Sequence, residues 1–518
     1  MLNSQKFILI LVFSIPKVCH TLFMHPLRNY ILNIPPPVLL IYLLLSPFIS
    51  FSQENQSAEF IKDSTINYVE IVGFGGTTGH TPFWMQANQY GIVPKNSPSA
   101  SIRVGLEKIW SLDANNRWRF GGGIEAVGNV AGKESKLLIP QAYATLRFKN
   151  WELYAGRKKI NVGLADSTIG MGSYAWSRNA MPIPRISIGT RGFVNVPFTK
   201  GWLSFNGFYS DGFFENSRPV TSELKLHQKM IYLRLGKTNS TVKLYGGFNH
   251  QVQWGGKSDY NTVDGVMPRG FSNYINVITG KAHSKNPGVN DNTGRVGNHL
   301  GTIDFGLEIE TYGMSIFLYR QNIYEDGSLV WLSNISDGLN GLRIKRKNSY
   351  GANFEINTFV LEFMYTKNQA GHVADWDQPS WARGKDDYFN NGQVRDGWSY
   401  YGRTIGTPFI PPSSETSWNW PVYANFMTSN NRVGVVHTGL QGTLMQNIEW
   451  ITKLSYSSNS GTFDEPFELS PKQFSGLLTL QTKLNILDGM LIKGTFAADN
   501  GDLYPKNYGF SLGLRKDF

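Results

Sequence analysis

The residues best equipped for chemistry gather between Asn368 and Arg432, where Trp376, Trp381, Trp398, Trp418 and Trp420 are interspersed with Asp375, Asp377, Arg383, Asp386, Asp387 and Arg395. A sugar ring has apolar C–H faces and an equator of hydroxyls, so a carbohydrate site calls for aromatic platforms flanked by charged and amide groups. This stretch supplies both. The same composition suits a loop packed into an interior with its charges paired among themselves, and the two uses are compatible. A second group, Trp176, Arg178, Asn179 and Arg185 with Arg157, Lys158 and Lys159, offers cations to uronate or phosphate groups of a polymer, arginine being suited to bidentate carboxylate recognition. Its plainer reading is a set of interior charges balanced by nearby acids.

Other chemistries find less support. Asp375-x-Asp377 and Asp386-Asp387 carry hard oxygen ligands, but no twelve-residue calcium loop surrounds them, so no metal is expected. His227, His250, His283, His372 and His437 form no H-x-x-x-H pair. His80, His250 and His372 read as polar lining residues. Gly73-x-Gly75-Gly76 follows a strand but opens no helix, which excludes a nucleotide loop. The single cysteine, Cys19, lies near the N-terminus, so the bulk of the chain has neither a thiol nucleophile nor a disulfide. With no nucleophile elbow and no paired-carboxylate signature, neither an enzyme nor a cofactor is expected; an outer-membrane hydrolase is the weakest alternative.

The elements that would position these residues are strands. Ile231, Leu233 and Leu235 alternate with Tyr232, Arg234 and Gly236, and after Lys237-Thr238-Asn239-Ser240 the alternation resumes with Val242, Leu244, Gly246 and Phe248. The unit recurs at Lys149-Asn150 and, by the same reading, near Asn357-Thr358. Further turns fall at Ala114-Asn115-Asn116, Thr199-Lys200-Gly201, Thr311-Tyr312, Met445-Gln446 and Asp488-Gly489. Between the hairpins lie long connections, roughly 76 to 99, 159 to 189, 210 to 226, 251 to 301, 322 to 349, 368 to 432 and 458 to 473, with shorter ones near 129 to 137 and 499 to 506. An opening strand near Asn67 to Phe74, sixteen hairpin strands and a closing strand from Asn507 to Phe518 make 18. Short links alternating with long ones, around strands of about ten residues, are the signature of a transmembrane barrel with short periplasmic turns and long extracellular loops. In lipid each unpaired backbone group costs several kcal/mol, so the last strand must pair with the first. Phe510, Leu512, Leu514 and Phe518 give that last strand an apolar face, interrupted by Lys516. Trp110, Trp118, Trp151, Trp202 and Trp450, beside the short turns, read as an aromatic girdle.

Composition agrees. Of 518 residues only 17% are charged, against about 25% in soluble domains, while 14% are aromatic and 54 are glycine. Two N-terminal apolar runs, Phe7 to Ile15 and Val38 to Phe51, are each shorter than the ~20 residues of a spanning helix. The second reads as a signal peptide starting at Met24, with Ser50 and Ser52 placed for cleavage before Gln53. The expected organisation is thus a signal region over 1–52, a short periplasmic segment over 53–67 and a barrel over 68–518. Beyond Ser52 the net charge is +8, from 46 basic and 38 acidic residues, too diffuse for nucleic acid.

Several segments carry a resemblance: Gly156-Arg157-Lys158-Lys159 through Ser177-Arg178-Asn179-Ala180-Met181-Pro182-Ile183-Pro184, His250 to Gly256, Tyr324 to Ser328 with Asp337-Gly338-Leu339, Lys385 to Asn391, and Gly397-Trp398-Ser399-Tyr400 through Gly406-Thr407-Pro408-Phe409. In their order and spread, the chain resembles the capsule assembly Wzi family of outer-membrane proteins of Gram-negative, Bacteroidetes-type bacteria. The resemblance implies an 18-stranded barrel that binds capsular polysaccharide at the cell surface and helps attach or assemble it. It also implies a periplasmic helical piece before the barrel, for which only about 15 residues, Gln53 to Asn67, are available here. The expectation is therefore an all-β outer-membrane barrel whose exterior loops hold a surface polysaccharide without catalysis. The alternative is a porin or sugar-uptake channel, favoured by an open lumen. Its expected partners are that polymer, outer-membrane lipid and, through the strand ending at Phe518, the barrel assembly machinery.

Overall fold

In the computed structural model the described residues are 65–132, 134–281, 295–325, 328–373, 384–417, 426–485 and 489–518. The N-terminal expectations over 1–64, and Trp376, Trp381, Arg383, Trp418, Trp420, Asp375 and Asp377, lie outside them.

The alternating segments form one closed antiparallel sheet. Its first strand, Thr65–Gly76, pairs with Ser99–Ser111 on one side and with the last strand, Asn507–Asp517, on the other. The register of the closing pair runs from Tyr68 opposite Asp517 to Gly76 opposite Gly509, and the Phe518 amide adds a 2.8 Å bond to the Asn67 carbonyl. No sheet edge is left, as lipid requires. One strand is broken into Arg185–Thr190 and Val194–Asn195, both pairing with Leu203–Phe213; counted once, it gives the 18 strands expected.

Two details differ from the expectation. No turn occurs at Asn357-Thr358; instead a register shift between Ile356 and Thr358 bulges the strand Phe354–Tyr365, and the turn lies at 347–353 after the strand Gly338–Arg346. A bulge and a turn both interrupt the two-residue period, so the pattern alone did not separate them. The link expected near 129 to 137 is only 132–133, because the flanking strands, Trp118–Ala131 and Glu134–Phe148, extend to 14 and 15 residues. Connection lengths therefore do not alternate strictly.

The wall has two faces. Ile231, Leu233 and Leu235 point outward and are 39%, 44% and 51% exposed, as are Phe510, Leu512 and Leu514 on the closing strand. Their neighbours in sequence point into the lumen. Trp110, Trp118 and Trp202 stand exposed near the short turns, whereas Trp450 is covered, stacked on Phe354 at 5.2 Å.

The lumen is filled by the long connections. Trp84, Tyr174, Trp176, Ile183, Tyr388, Phe389, Trp398, Ile405 and Phe409 form one buried cluster with lumen-facing Tyr232, Leu300, Leu339 and Met364. Irregular backbone at this depth needs polar partners, and the wall provides them. Gln321 Oε1 accepts the Tyr174 amide at 2.9 Å, and Glu362 accepts the Met171 amide. Gln251 and Gln253 donate to the carbonyls of Ala175 and Gly397, both at 2.9 Å. Close approach needs missing side chains: a Cβ on Gly439 would lie 2.4 Å from the Ile169 carbonyl, and one on Gly406 2.3 Å from that of Tyr174.

Candidate functional site

At the end of the barrel bearing the long connections, residues 77–98, 402–417 and 502–507 enclose a cavity of about 260 Å³. Its polar lining includes His80, Lys95, Asn96, Asn179, Arg403, Glu415 and Asn507, and its apolar lining Phe83, Tyr504 and the prolines 408, 411, 412 and 505. His80, Asn96 and Ser414 are exposed at its mouth.

Each wall is held in place. Tyr504 stacks on Phe83, ring centres 5.7 Å apart and planes 24° from parallel. The Phe83 amide donates to Asp499 at 2.8 Å, which fixes the short helix Phe83–Gln86 against the barrel. Arg403 is buried and donates to Gln86 Oε1 at 3.0 Å and to the Val93 carbonyl at 2.7 Å. Lys95 pairs with Glu415 and donates to the Gly402 carbonyl at 2.9 Å. Burial lowers the pKa of the Lys95 ammonium, against the attraction of Glu415. The Asn507 amide donates to the His80 carbonyl at 2.7 Å. The result is a rigid pocket of one stacked aromatic pair, prolines, amides and a cation–carboxylate pair. Such a lining can take a sugar ring against the apolar side and its hydroxyls against the polar side.

The sequence-derived residues are distributed differently. Asn179 lines the pocket, its amide donating to the Thr404 carbonyl at 3.1 Å. Trp398 is fully buried in the luminal core, out of a polymer's reach in this arrangement, so it packs the plug. Asp386 accepts from the Ser328 hydroxyl at 2.8 Å, and Asp387 from the side-chain amides of Asn390 and Asn431. Burial pushes the Asp387 carboxyl up to about 6 despite those two donors. Arg395 stacks on Tyr260 at 3.5 Å. These residues hold loops together.

In the second group, Trp176 is buried under the Arg185 guanidinium at 4.6 Å, and Arg178 lies over Tyr90. Lys158 pairs with Glu152 and Lys159 with Glu125, the latter at 2.6 Å, so the plainer reading describes those two lysines. Arg157 donates to the Tyr400 hydroxyl at 3.0 Å.

Sequence reasoning passed over Lys95, Arg403, Glu415 and Tyr504. The signal available was the proline-rich run Pro408-Phe409-Ile410-Pro411-Pro412, a stiff wall within a long connection.

Comparison with known proteins follows this geometry. A family model described as capsule assembly protein Wzi matches residues 86–411. Among solved structures, the chain is similar to Wzi of Escherichia coli, described as a carbohydrate-binding β-barrel of the outer membrane involved in group 1 capsule assembly. The identity is 16% over 87% of this chain and 84% of that one, with a TM-score of 0.53. OccAB2 of Acinetobacter baumannii and OccK5 of Pseudomonas aeruginosa each match at 9% identity, over 88% of this chain and 98% of theirs, with TM-scores of 0.44. Comparison with curated proteins finds no match.

Proposed function

The chain belongs to the capsule assembly protein Wzi family, and from that premise we propose that this outer-membrane barrel holds a surface polysaccharide, capsular or of similar type, non-covalently at its long-connection end, which faces the cell exterior. The observation that carries the reading is the pocket of about 260 Å³ between Tyr504, the prolines and the Lys95–Glu415 pair. A sugar ring rests on the Tyr504 and proline side, while Lys95, Asn96 and Asn179 bond its hydroxyl or carboxylate groups. In this reading Trp376, Trp381, Trp418 and Trp420, with Arg383, are further sugar platforms of the connection 366–432. Trp176, Arg178, Asp386, Asp387, Arg395 and Trp398 support them by fixing the loops. Weak binding of many repeats, multiplied along the polymer, gives durable attachment. No covalent step is involved.

The same proposal takes the strand ending at Phe518 as the segment read by the barrel assembly machinery, and residues 1–52 as the export signal. A channel reading gains nothing from the described residues, whose luminal cluster runs through Trp84, Tyr174 and Trp398.

The test is polymer retention in a deletion strain complemented with the wild type or with Tyr504→Ala/Lys95→Gln, measuring cell-bound against released polymer alongside total synthesis. The expected outcome is normal synthesis with polymer shed by both the deletion and the variant. Retention unchanged by the deletion would overturn the function, and retention unchanged by the variant alone would move the site elsewhere.

A further inference from the structure

Two long connections do something a plug does not: part of each makes contact with the outside of the wall. The helix Phe271–Thr279, within the connection 255–297, packs on the outward face of the strand Val242–Trp254, burying Val252 and Trp254 beneath Tyr274 and Val277. Lower on that same face Val242, Leu244 and Phe248 belong to the exposed apolar belt. Polar groups tie the helix down. The Tyr274 hydroxyl donates to Asp211 at 2.6 Å and sits 2.6 Å from that of Tyr209, and Lys229 donates to the Ile278 carbonyl. Lys229 faces outward only two residues from Ile231, so the C-terminal end of the helix reaches the edge of the belt.

The connection 325–337 touches the outer wall at one place while its Ser328 and Asn334 bond Asp386 and Tyr388 inside. Outward-facing Arg320, two residues from belt residue Leu318, donates to the carbonyls of Ile335 and Asp337 and to Asn340. The C-terminal end of the helix also nears the strand Met314–Tyr324 that carries Arg320, for a Cβ on Gly280 would lie 3.8 Å from the Tyr324 hydroxyl.

These segments expose large apolar side chains beside Ser272, Thr279, Ser333 and Ser336. Phe271 is 75% exposed, and Val330, Trp331 and Leu332 are 69%, 61% and 59% exposed. Exposed apolar side chains of this size mark a surface that is covered in use. The helix carries no acidic residue, and exposed Arg269 and Lys281 flank its ends. Aromatic and aliphatic side chains at the belt edge beside exposed cations suit a layer where acyl chains give way to anionic head groups.

We propose that the helix Phe271–Thr279 and the segment Val330–Leu332 form a collar seated in the lipid leaflet at the long-connection end, their apolar side chains among acyl chains and Arg269 and Lys281 against lipid phosphates. The occupant is lipid, because the helix lies on the same outward strand face as the lipid-facing Val242, Leu244 and Phe248, and each segment is fastened through a backbone carbonyl beside that belt. The collar widens the footprint of the barrel in one leaflet only, which fixes its depth and tilt. This proposal is independent of the polysaccharide reading.

The test uses the full chain with Cys19, its only cysteine, changed to Ser. Single nitroxide labels are placed at Phe271→Cys and Leu332→Cys, with Leu244→Cys as belt reference and the exposed loop position Leu469→Cys as aqueous reference. In nanodiscs of phosphatidylglycerol and phosphatidylcholine, the ratio of oxygen to nickel-chelate accessibility at 271 and 332 is expected to match that at 244 within about twofold. A ratio matching 469, or protection appearing only when cross-linking shows a second copy on the patch, overturns the collar. Arg269→Gln/Lys281→Gln is expected to lower retained phosphatidylglycerol by about threefold in native mass spectra, with phosphatidylcholine unchanged. No change there overturns the head-group contact. Resistance of each variant to unfolding in gels verifies that the barrel has formed.

Discussion

The two halves of the lumen are built on opposite principles. Toward the long connections the interior is a dry core around Trp84, Tyr174, Phe389 and Trp398, crossed by buried charges. The Arg218–Asp396 pair is the clearest case. Arg218 Nη1 and Nη2 donate to the carbonyls of Ser399 and Gly397 at 2.7 and 3.1 Å, while Asp396 accepts from the amides of Val220 and Thr221. Toward the short turns the interior is ionic, with Arg103–Glu70, Arg147–Glu152, Lys243–Glu308 and Lys347–Glu310 between 2.5 and 3.2 Å. A cavity of about 330 Å³ lies beneath the plug between Asp166, Arg178, Glu308 and Arg343. One alternating wall thus supports both interiors. Its inward side chains bond loop backbone where connections descend, and bond one another where they do not.

The dry half of the lumen is most vulnerable at the buried Arg218–Asp396 pair. Arg218→Ala leaves Asp396 uncompensated and is expected to cost about 3–5 kcal/mol of loop docking, seen as protease cleavage between 384 and 417 and as ion conductance in planar bilayers above that of the wild type. Trp398→Ala opens a cavity in the core, for about 3–5 kcal/mol, with the same readouts and without loss of the folded barrel.

Asp387 sharpens the contrast through pH. Its folded pKa is raised by burial from the ordinary carboxylate range to about 6. Its contribution to loop docking is therefore fully present below about pH 4 and lost as the pH rises through about 6, a swing of about 3 kcal/mol. Hydrogen exchange at 384–391 is expected to speed up across that window in the wild type, and to stay pH-independent, after correction for intrinsic rates, in Asp387→Asn. The smallest effect belongs to the ionic half. Lys347→Ala removes a pair at the wet end, with Lys347 more than a third exposed, and is expected to change thermal stability by less than about 1 kcal/mol.

Most of the barrel was legible in the chain, because a wall between lipid and lumen forces a two-residue period. Ile231, Leu233 and Leu235 announce their face without reference to any neighbour. The bulge at Asn357 was not legible as such, since a break in period has the same appearance whether the chain turns or merely buckles. Lys158 and Lys159 were readable as balanced charges, although Glu152 and Glu125 could not be named as their partners. The outer pocket was nearly invisible: Lys95, Arg403, Glu415 and Tyr504 come from three connections, and nothing in sequence links them.

By itself, then, the sequence determined the closed antiparallel wall and which side of most strands meets lipid, since these follow from local alternation and from the cost of an unpaired edge, whereas one strand, Gly338–Arg346, lay inside an expected connection. The tertiary structure alone decided which connections enter the lumen, which climb over the rim onto the outer wall, and which loop residues converge on one pocket. Those outcomes depend on shape and on hydrogen bonds between residues far apart in the chain, such as Gln321 to Tyr174 and Arg320 to Ile335, and no period in the sequence records them.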